Sequence, residues 1–250
     1  MSLDFKPVYL DSAKCNGCVN CMKRCPTEAI RVRGGKATIM YERCIGCGEC
    51  VRVCPTHAKK EFYDSLDSLK SFKYTVAVPS PSLYGQFNNI YDTNYVLTAL
   101  KRLGFDDVVE VAIGAEYVSA ATAEYIKSQH KSRKPVISSA CPAVVNLILM
   151  RFEHLMDNLS PIQQPEEVTA NMARAKAQME TGLSDSEIGV FVITQCAACV
   201  MGLKNSVNAK IDGVLSAKEI YFPLLSELNK LTPADLENLS LAGSLGVSWG

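Results

Sequence analysis

A small α+β domain followed by an α/β domain with a mostly parallel sheet is the architecture expected of this chain. Three features point to it. Eight of the eleven cysteines fall in two matching runs, Cys15-x2-Cys18-x2-Cys21-x3-Cys25-Pro26 and Cys44-x2-Cys47-x2-Cys50-x3-Cys54-Pro55. The runs are offset by 29 residues and form an internal repeat. From Tyr74 onward, short apolar runs alternate with helical patterns, the signature of parallel βα units. The chain is accordingly divided into residues 1–60, a polar and charged connector at 61–73, and residues 74–250.

Each cysteine run reads as a ligand loop, a short helix, then Pro-Thr and a short strand or turn. Closely spaced thiolates on a tight loop suit an iron–sulfur cluster, and this spacing is the ligand pattern of a ferredoxin-like domain with two 4Fe–4S clusters. In that pattern the fourth cysteine of each run reaches across to the other cluster. Cys15, Cys18, Cys21 and Cys54 are therefore assigned to the first cluster, and Cys44, Cys47, Cys50 and Cys25 to the second. Disulfides would require an oxidising compartment, and zinc sites rarely use a doubled four-cysteine run ending in proline. Between the runs, Arg31 to Ile39 reads as a hairpin turning at Gly34-Gly35.

In the second part, strands are expected at Tyr74–Val78, Asp107–Val111, Pro135–Ile137, Gly189–Thr194 and Asp212–Leu215. One helix runs from about Asp92 to Leu103 and stops at Gly104, with Val96, Leu100 and Leu103 on one face. Another starts with Pro142 and continues to about Met156. Pro165, followed by Glu166 and Glu167, starts a third. Ser216-Ala217-Lys218-Glu219 reads as a capping box opening a fourth, which Pro223 should kink. Core packing is a sufficient explanation of these apolar stripes.

Lys+Arg and Asp+Glu number 26 each, so no basic field points to nucleic acid. No apolar run approaches the ~18–20 residues of a membrane span. Met1-Ser2-Leu3-Asp4 shows no signal peptide, and thiolate ligands without an export signal point to a reducing cytoplasm, while the fragility of such clusters in oxygen favours an anaerobe. His57, His130 and His154 lack metal spacing, and the charge run from Lys127 to Lys134 reads as a solvated helix end.

In open α/β sheets, ligands bind beyond the carboxyl ends of the strands. Pro79-Ser80-Pro81-Ser82, Gly114-Ala115-Glu116, Ser138-Ser139-Ala140-Cys141-Pro142 and Thr194-Gln195-Cys196-Ala197-Ala198-Cys199 are expected there, which puts the three remaining cysteines at one sheet edge. Singly, each reads as a buried structural cysteine. Together, beside a two-cluster domain, they favour a third metal site.

The order of these segments resembles the FeFe-hydrogenase family. The resemblance runs through Val78-Pro79-Ser80-Pro81-Ser82, Leu100 to Val108, Ser138 to Pro142, Asn158-Leu159-Ser160, Val192 to Cys196 and Ile211 to Glu219, nearly the whole chain. It implies that residues 74–250 form one lobe of a catalytic domain whose active site is a 4Fe–4S cluster bridged by cysteine to a diiron unit bearing CO and cyanide. By resemblance, Cys141 and Cys196 are two of that cluster's four ligands, and Ser80, Pro81 and Ser82 line the pocket around the cyanides.

The departures matter as much. Ala140 replaces the proton-relay cysteine, while Ser160 matches the relay serine; the acidic relay members have no clear counterpart around Ala121–Glu124. Cys199 replaces the lysine that bonds a cyanide, and a thiol is shorter and a weaker donor. The family's third cysteine motif, which includes the bridge, is missing; the stretch from Leu241 to Gly250 resembles the glycine-rich segment ahead of it. The expectation is a C-terminally truncated oxidoreductase of the sensory branch, which senses hydrogen or turns it over slowly and works with a redox partner protein or signalling domain. Two other readings are an electron-transfer module without diiron chemistry, and a hydrogenase-like protein of iron–sulfur assembly.

Overall fold

The computed structural model describes residues 5–88, 90, 92–128 and 135–241. Met1 to Asp4, most of the charge run toward Lys134 with His130, and the glycine-rich stretch after Leu241 lie outside the described residues. In chain order the first elements are β1 (Val8–Leu10), α1 (Asn20–Lys23), β2 (Ile30–Arg33), β3 (Lys36–Ile39), α2 (Glu49–Arg52) and β4 (Lys59–Glu61). Then come β5 (Tyr74–Pro79), α3 (Asn94–Leu103), β6 (Asp107–Val108), α4 (Val111–Ser128), α5 (Pro142–Arg151) and α6 (Pro165–Thr181). The last are β7 (Ile188–Thr194), α7 (Ala197–Lys204), β8 (Gly213–Ser216) and α8 (Ala217–Leu228).

Two compact units share this chain. One comprises residues 1–62, 130–161 and 196–205; the other comprises 63–129, 162–195 and 206–250. All eleven cysteines belong to the first unit.

In the first unit, β1 pairs antiparallel with β4, and β2 with β3. Gly34 (φ 55°) and Gly35 (φ 73°) form the two-residue turn between Arg33 and Lys36, both left-handed as a type I′ hairpin requires. The repeat is written into the backbone. α1 and α2 stand 29 residues apart, and so do the positive-φ pairs Gly17/Gly46, Val19/Gly48 and Glu28/His57. Helices α5 and α7 complete this unit.

The expected strand at Pro135–Ile137 does not join a sheet. Ile137 makes an isolated parallel bridge to Leu159; its N–H donates to the Asn158 carbonyl (2.8 Å) and its carbonyl accepts from Ser160 N–H (2.8 Å). Its hydrogen-bonding capacity is spent on that neighbouring turn. The helix after Cys141 ends at Arg151, and a 3-10 turn, Glu153–Asn158, follows a break at Phe152.

The second unit holds a four-stranded parallel sheet in the order β6-β5-β7-β8, with Tyr74 opposite Ile188 and Phe191 opposite Gly213. β5 and β7 are buried nearly end to end, as central parallel strands covered on both faces must be. Val96, Leu97 and Leu100 of α3 and Ile220 and Leu224 of α8 pack with Leu83, Phe191 and Leu215 in the core. Gly104 closes α3 with φ 121°.

Three expectations change here. β6 ends at Val108 instead of Val111, and the chain enters the unforeseen helix α4 at Val111. Gly114 and Ala115 are therefore buried in α4 and belong to no ligand loop; a Cβ at Gly114 would overlap Thr169 Oγ1 of α6, so the glycine sets a close helix crossing. Ser216 is the N-cap of α8, but its side chain caps nothing, because β8 runs into the helix without a loop. Pro223 lies inside α8, which continues to Leu228.

Candidate metal centre

Left-handed residues at Gly17, Val19, Gly46 and Gly48 fold each cysteine loop tightly, ahead of a helix of one turn. The loops enclose two cavities. Cys15, Cys18, Cys21 and Cys54 line one of about 320 Å³, together with Leu10, Val32, Ala37, Ala58 and Lys59. Cys25, Cys44, Cys47 and Cys50 line another of about 370 Å³, with Val8, Ile30, Ile39 and Ile45. Both volumes include space open to solvent.

The fourth cysteines are held alike. Cys25 Sγ accepts a hydrogen bond from Ala29 N–H at 3.1 Å, and Cys54 Sγ from Ala58 N–H at 3.2 Å. Thr27 and Thr56 hydroxyls lie 3.7 Å from the same sulfurs. Such N–H···S contacts stabilise a ligating thiolate and tune a cluster's potential. Burial acts to raise the Cys54 thiol's pKa, but hydrogen bonds from Lys59, Thr56 and Ala58 outweigh it and hold the thiol below its ordinary value. Hydrogen bonds from Ala37 and Gly17 lower Cys15. Burial pushes Cys21, Cys44 and Cys47 up, and Cys50 up to about 12. This favours the protonated thiols in the protein alone, and ligation to iron would displace those protons.

The donor set fits iron–sulfur clusters. Among the described residues no three His, Cys, Asp or Glu side chains converge closely enough to hold one metal ion. Four thiols spread around a cavity suit a four-iron cluster, whereas zinc requires four ligands about 2.0–2.3 Å from a single point. None of the eight run cysteines is in a disulfide.

The first unit also holds Cys141, Cys196 and Cys199. Cys141 is the N-cap of α5 and Cys196 the N-cap of α7, both exposed; Cys199 is buried in the first turn of α7. The two helices pack on the loop of the second cysteine run. Ile45, Ala143 and Ala198 are buried together with Leu147 against them. A Cβ on Gly46 would stand 2.6 Å from Met201 Sδ, and one on Gly48 3.2 Å from the Ala197 methyl. Asn146 Nδ2 donates to Met201 Sδ across α5 and α7 (3.7 Å). Sequence reasoning missed α7 and Met201; the one available signal was the apolar run from Val200 to Leu203 after Cys199.

Ala140 precedes Cys141, half-buried, with its N–H donating to Ser138 Oγ (3.3 Å). Ser160 is buried. In the second unit, Ser80 N–H donates to the Ile193 carbonyl (3.0 Å), while its buried hydroxyl finds no hydrogen-bond partner among the described residues. An orphaned buried hydroxyl suits a site that receives a polar ligand. Pro81 starts a 3-10 turn, and Ser82 is exposed.

The family of iron-only hydrogenase large subunits, C-terminal domain, matches residues 73–243, and a 4Fe–4S dicluster domain matches residues 7–55. The chain belongs to the FeFe-hydrogenase family. It carries a 4Fe–4S dicluster domain and an α/β domain of the hydrogenase type. Iron hydrogenase 1 of Clostridium pasteurianum is 23% identical over 162 residues, covering 59% of this chain and 28% of that protein. Two solved variants of FeFe-hydrogenase HydA1 from Chlamydomonas reinhardtii share its fold, with TM-scores of 0.53 and 0.54 at 15% and 16% identity. Each superposition covers 72% of this chain and 51% or 50% of the other. The chain thus spans about half the length of the solved relatives it matches. Among the described residues no helix is long and apolar enough to cross a membrane.

Proposed function

We propose that this chain is the electron-relay part and one catalytic lobe of a hydrogen-sensing or low-turnover FeFe-hydrogenase. Residues 1–60 act as the relay and residues 74–250 as the lobe, in the reducing cytoplasm of an anaerobe, with H2 or protons as substrate and a redox or signalling partner. The observation that carries the reading is the packing of α5 and α7, capped by Cys141 and Cys196, onto the Ile45–Gly48 loop of the second cluster. On this reading the second cluster is the one next to Cys141 and Cys196, and the first is where electrons are exchanged with the outside partner.

When bound, each 4Fe–4S cluster supplies one-electron transfer. The chain's own residues do the rest. The cysteine loops fix four sulfurs around each cavity, and Ala29 and Ala58 N–H groups hold the crossover thiolates. Leu10, Val32, Ile30, Ile39 and Ile45 keep water from the cavity walls. Ala140 carries no exchangeable side-chain proton where the resemblance places a relay thiol, which favours slow turnover over fast catalysis.

A pure electron-transfer role is the second reading, favoured by Ala140 and Cys199, which depart from the family pattern while the paired runs keep all eight cysteines. Infrared spectroscopy after maturation with the diiron unit, with hydrogen turnover assayed on the same sample, separates them. CO and cyanide bands with slow turnover support the proposal. Turnover comparable to a standard hydrogenase overturns the sensing role, and absent bands leave the relay module alone.

A further inference from the structure

The two halves of the cysteine repeat differ in charge at one buried position. Ile30 lines the cavity of Cys25, Cys44, Cys47 and Cys50; Lys59, 29 residues later, lines the cavity of Cys15, Cys18, Cys21 and Cys54. Both residues are 2% exposed. Lys59 is held in β4 opposite Leu10, and its Nζ has no hydrogen-bond partner among the described residues. Burying an ammonium without a counter-charge is strongly unfavourable, so a retained one points to an anion that pairs with it. The other charged residue on the cavity walls, Glu49, borders the second cavity and is paired with Arg52 and Arg24.

We propose that Lys59 sets the cluster potentials: its buried cation stabilises the reduced state of the Cys15–Cys18–Cys21–Cys54 cluster and raises its potential above that of the second cluster, where Ile30 supplies no charge. The sign follows from charge alone. Adding one electron makes a cluster more negative, and a nearby cation in a low-dielectric site favours that state. Lys59 borders the first cavity and not the second, so the midpoint of the first cluster rises by more. Electrons consequently rest on the cluster away from α5 and α7, a bias suited to drawing them out of the Cys141–Cys196 end.

The inference rests on the presence of two 4Fe–4S clusters, so iron is counted first. The test is an EPR-monitored redox titration of the anaerobically reconstituted full chain. K59I is expected to lower the upper midpoint so that the reduced-to-oxidised ratio at the wild-type midpoint falls about tenfold, or about 59 mV for one electron. K59R should retain the wild-type value. I30K, with Lys59 intact, should raise the lower midpoint, and it reads the effect even where K59I loses iron. Fewer than about eight irons in the wild type overturns the two-cluster reading and this proposal with it. Unmoved midpoints in fully loaded K59I, or an equal drop in K59R, overturn the role of Lys59 alone.

Discussion

Cys25 and Cys54 are the residues on which the two cavities depend, since each leaves its own run to line the other's cavity. Cys54→Ser should therefore reduce bound iron from about eight to about four per chain while sparing the Cys25 cavity. Iron analysis with EPR checks this; loss of all iron would contradict the independence of the cavities. Gly46 is the second decisive residue. Its φ of 69° and its contact with Met201 leave no room for a side chain. Gly46→Val is expected to displace α7 and to lose iron from the second cavity first. Retention of full iron with an unchanged spectrum would contradict that packing.

These residues were unequally legible in the sequence. The cysteine spacing marks the candidate ligands, because thiolate geometry tolerates few loop lengths. Lys59 and Met201 carry no motif; their importance comes from burial and contact, which only the folded chain reveals. Ala140 and Cys199 stood out because they depart from a pattern the rest of the chain keeps.

Elements show the same contrast. The Gly34-Gly35 hairpin could be read directly, as a two-residue turn needs residues that tolerate positive φ. β5, β7 and α3 were equally clear from apolar runs and the stop at Gly104. Helix α4 was not, because Gly114 and a run of small residues hide its period; its close approach to α6 is the reason for those small residues. The segment ending at Ile137 looks like a strand by composition, yet Asn158 and Ser160 take its hydrogen bonds.

Helix α6 is tied to the sheet by Arg174. Its guanidinium, 7% exposed as a residue, pairs with Asp212 and Asp185 and donates to the carbonyls of Ile188 (2.9 Å) and Lys210 (3.2 Å). Asp212 in turn accepts from Val190 N–H at 2.8 Å. Arg174→Met strands a buried carboxylate and should cost about 3–5 kcal/mol of stability. Urea unfolding followed by circular dichroism measures this, and a loss under about 1 kcal/mol, the range of a surface ion pair, would contradict the account.

At the scale of the whole molecule, the division of labour is chemical. The unit that contains residues 1–62 also recruits residues 130–161 and 196–205, and with them every cysteine; the other unit has a core of aliphatic and aromatic side chains. Removing iron should loosen only the first. Hydrogen exchange of the chelated protein is expected to show lost protection in β1–β4 and in α5 and α7, with β5 and β7 still protected. Equal loss in both units would contradict the division.

The chemistry of the molecule depends on the paired cysteine runs holding two 4Fe–4S clusters. Iron, zinc and acid-labile sulfide analysis of the anaerobically reconstituted chain tests it most directly. About eight irons and about eight sulfides per chain are expected. Stoichiometric zinc, or a plateau at about four irons in the unaltered protein, would contradict it.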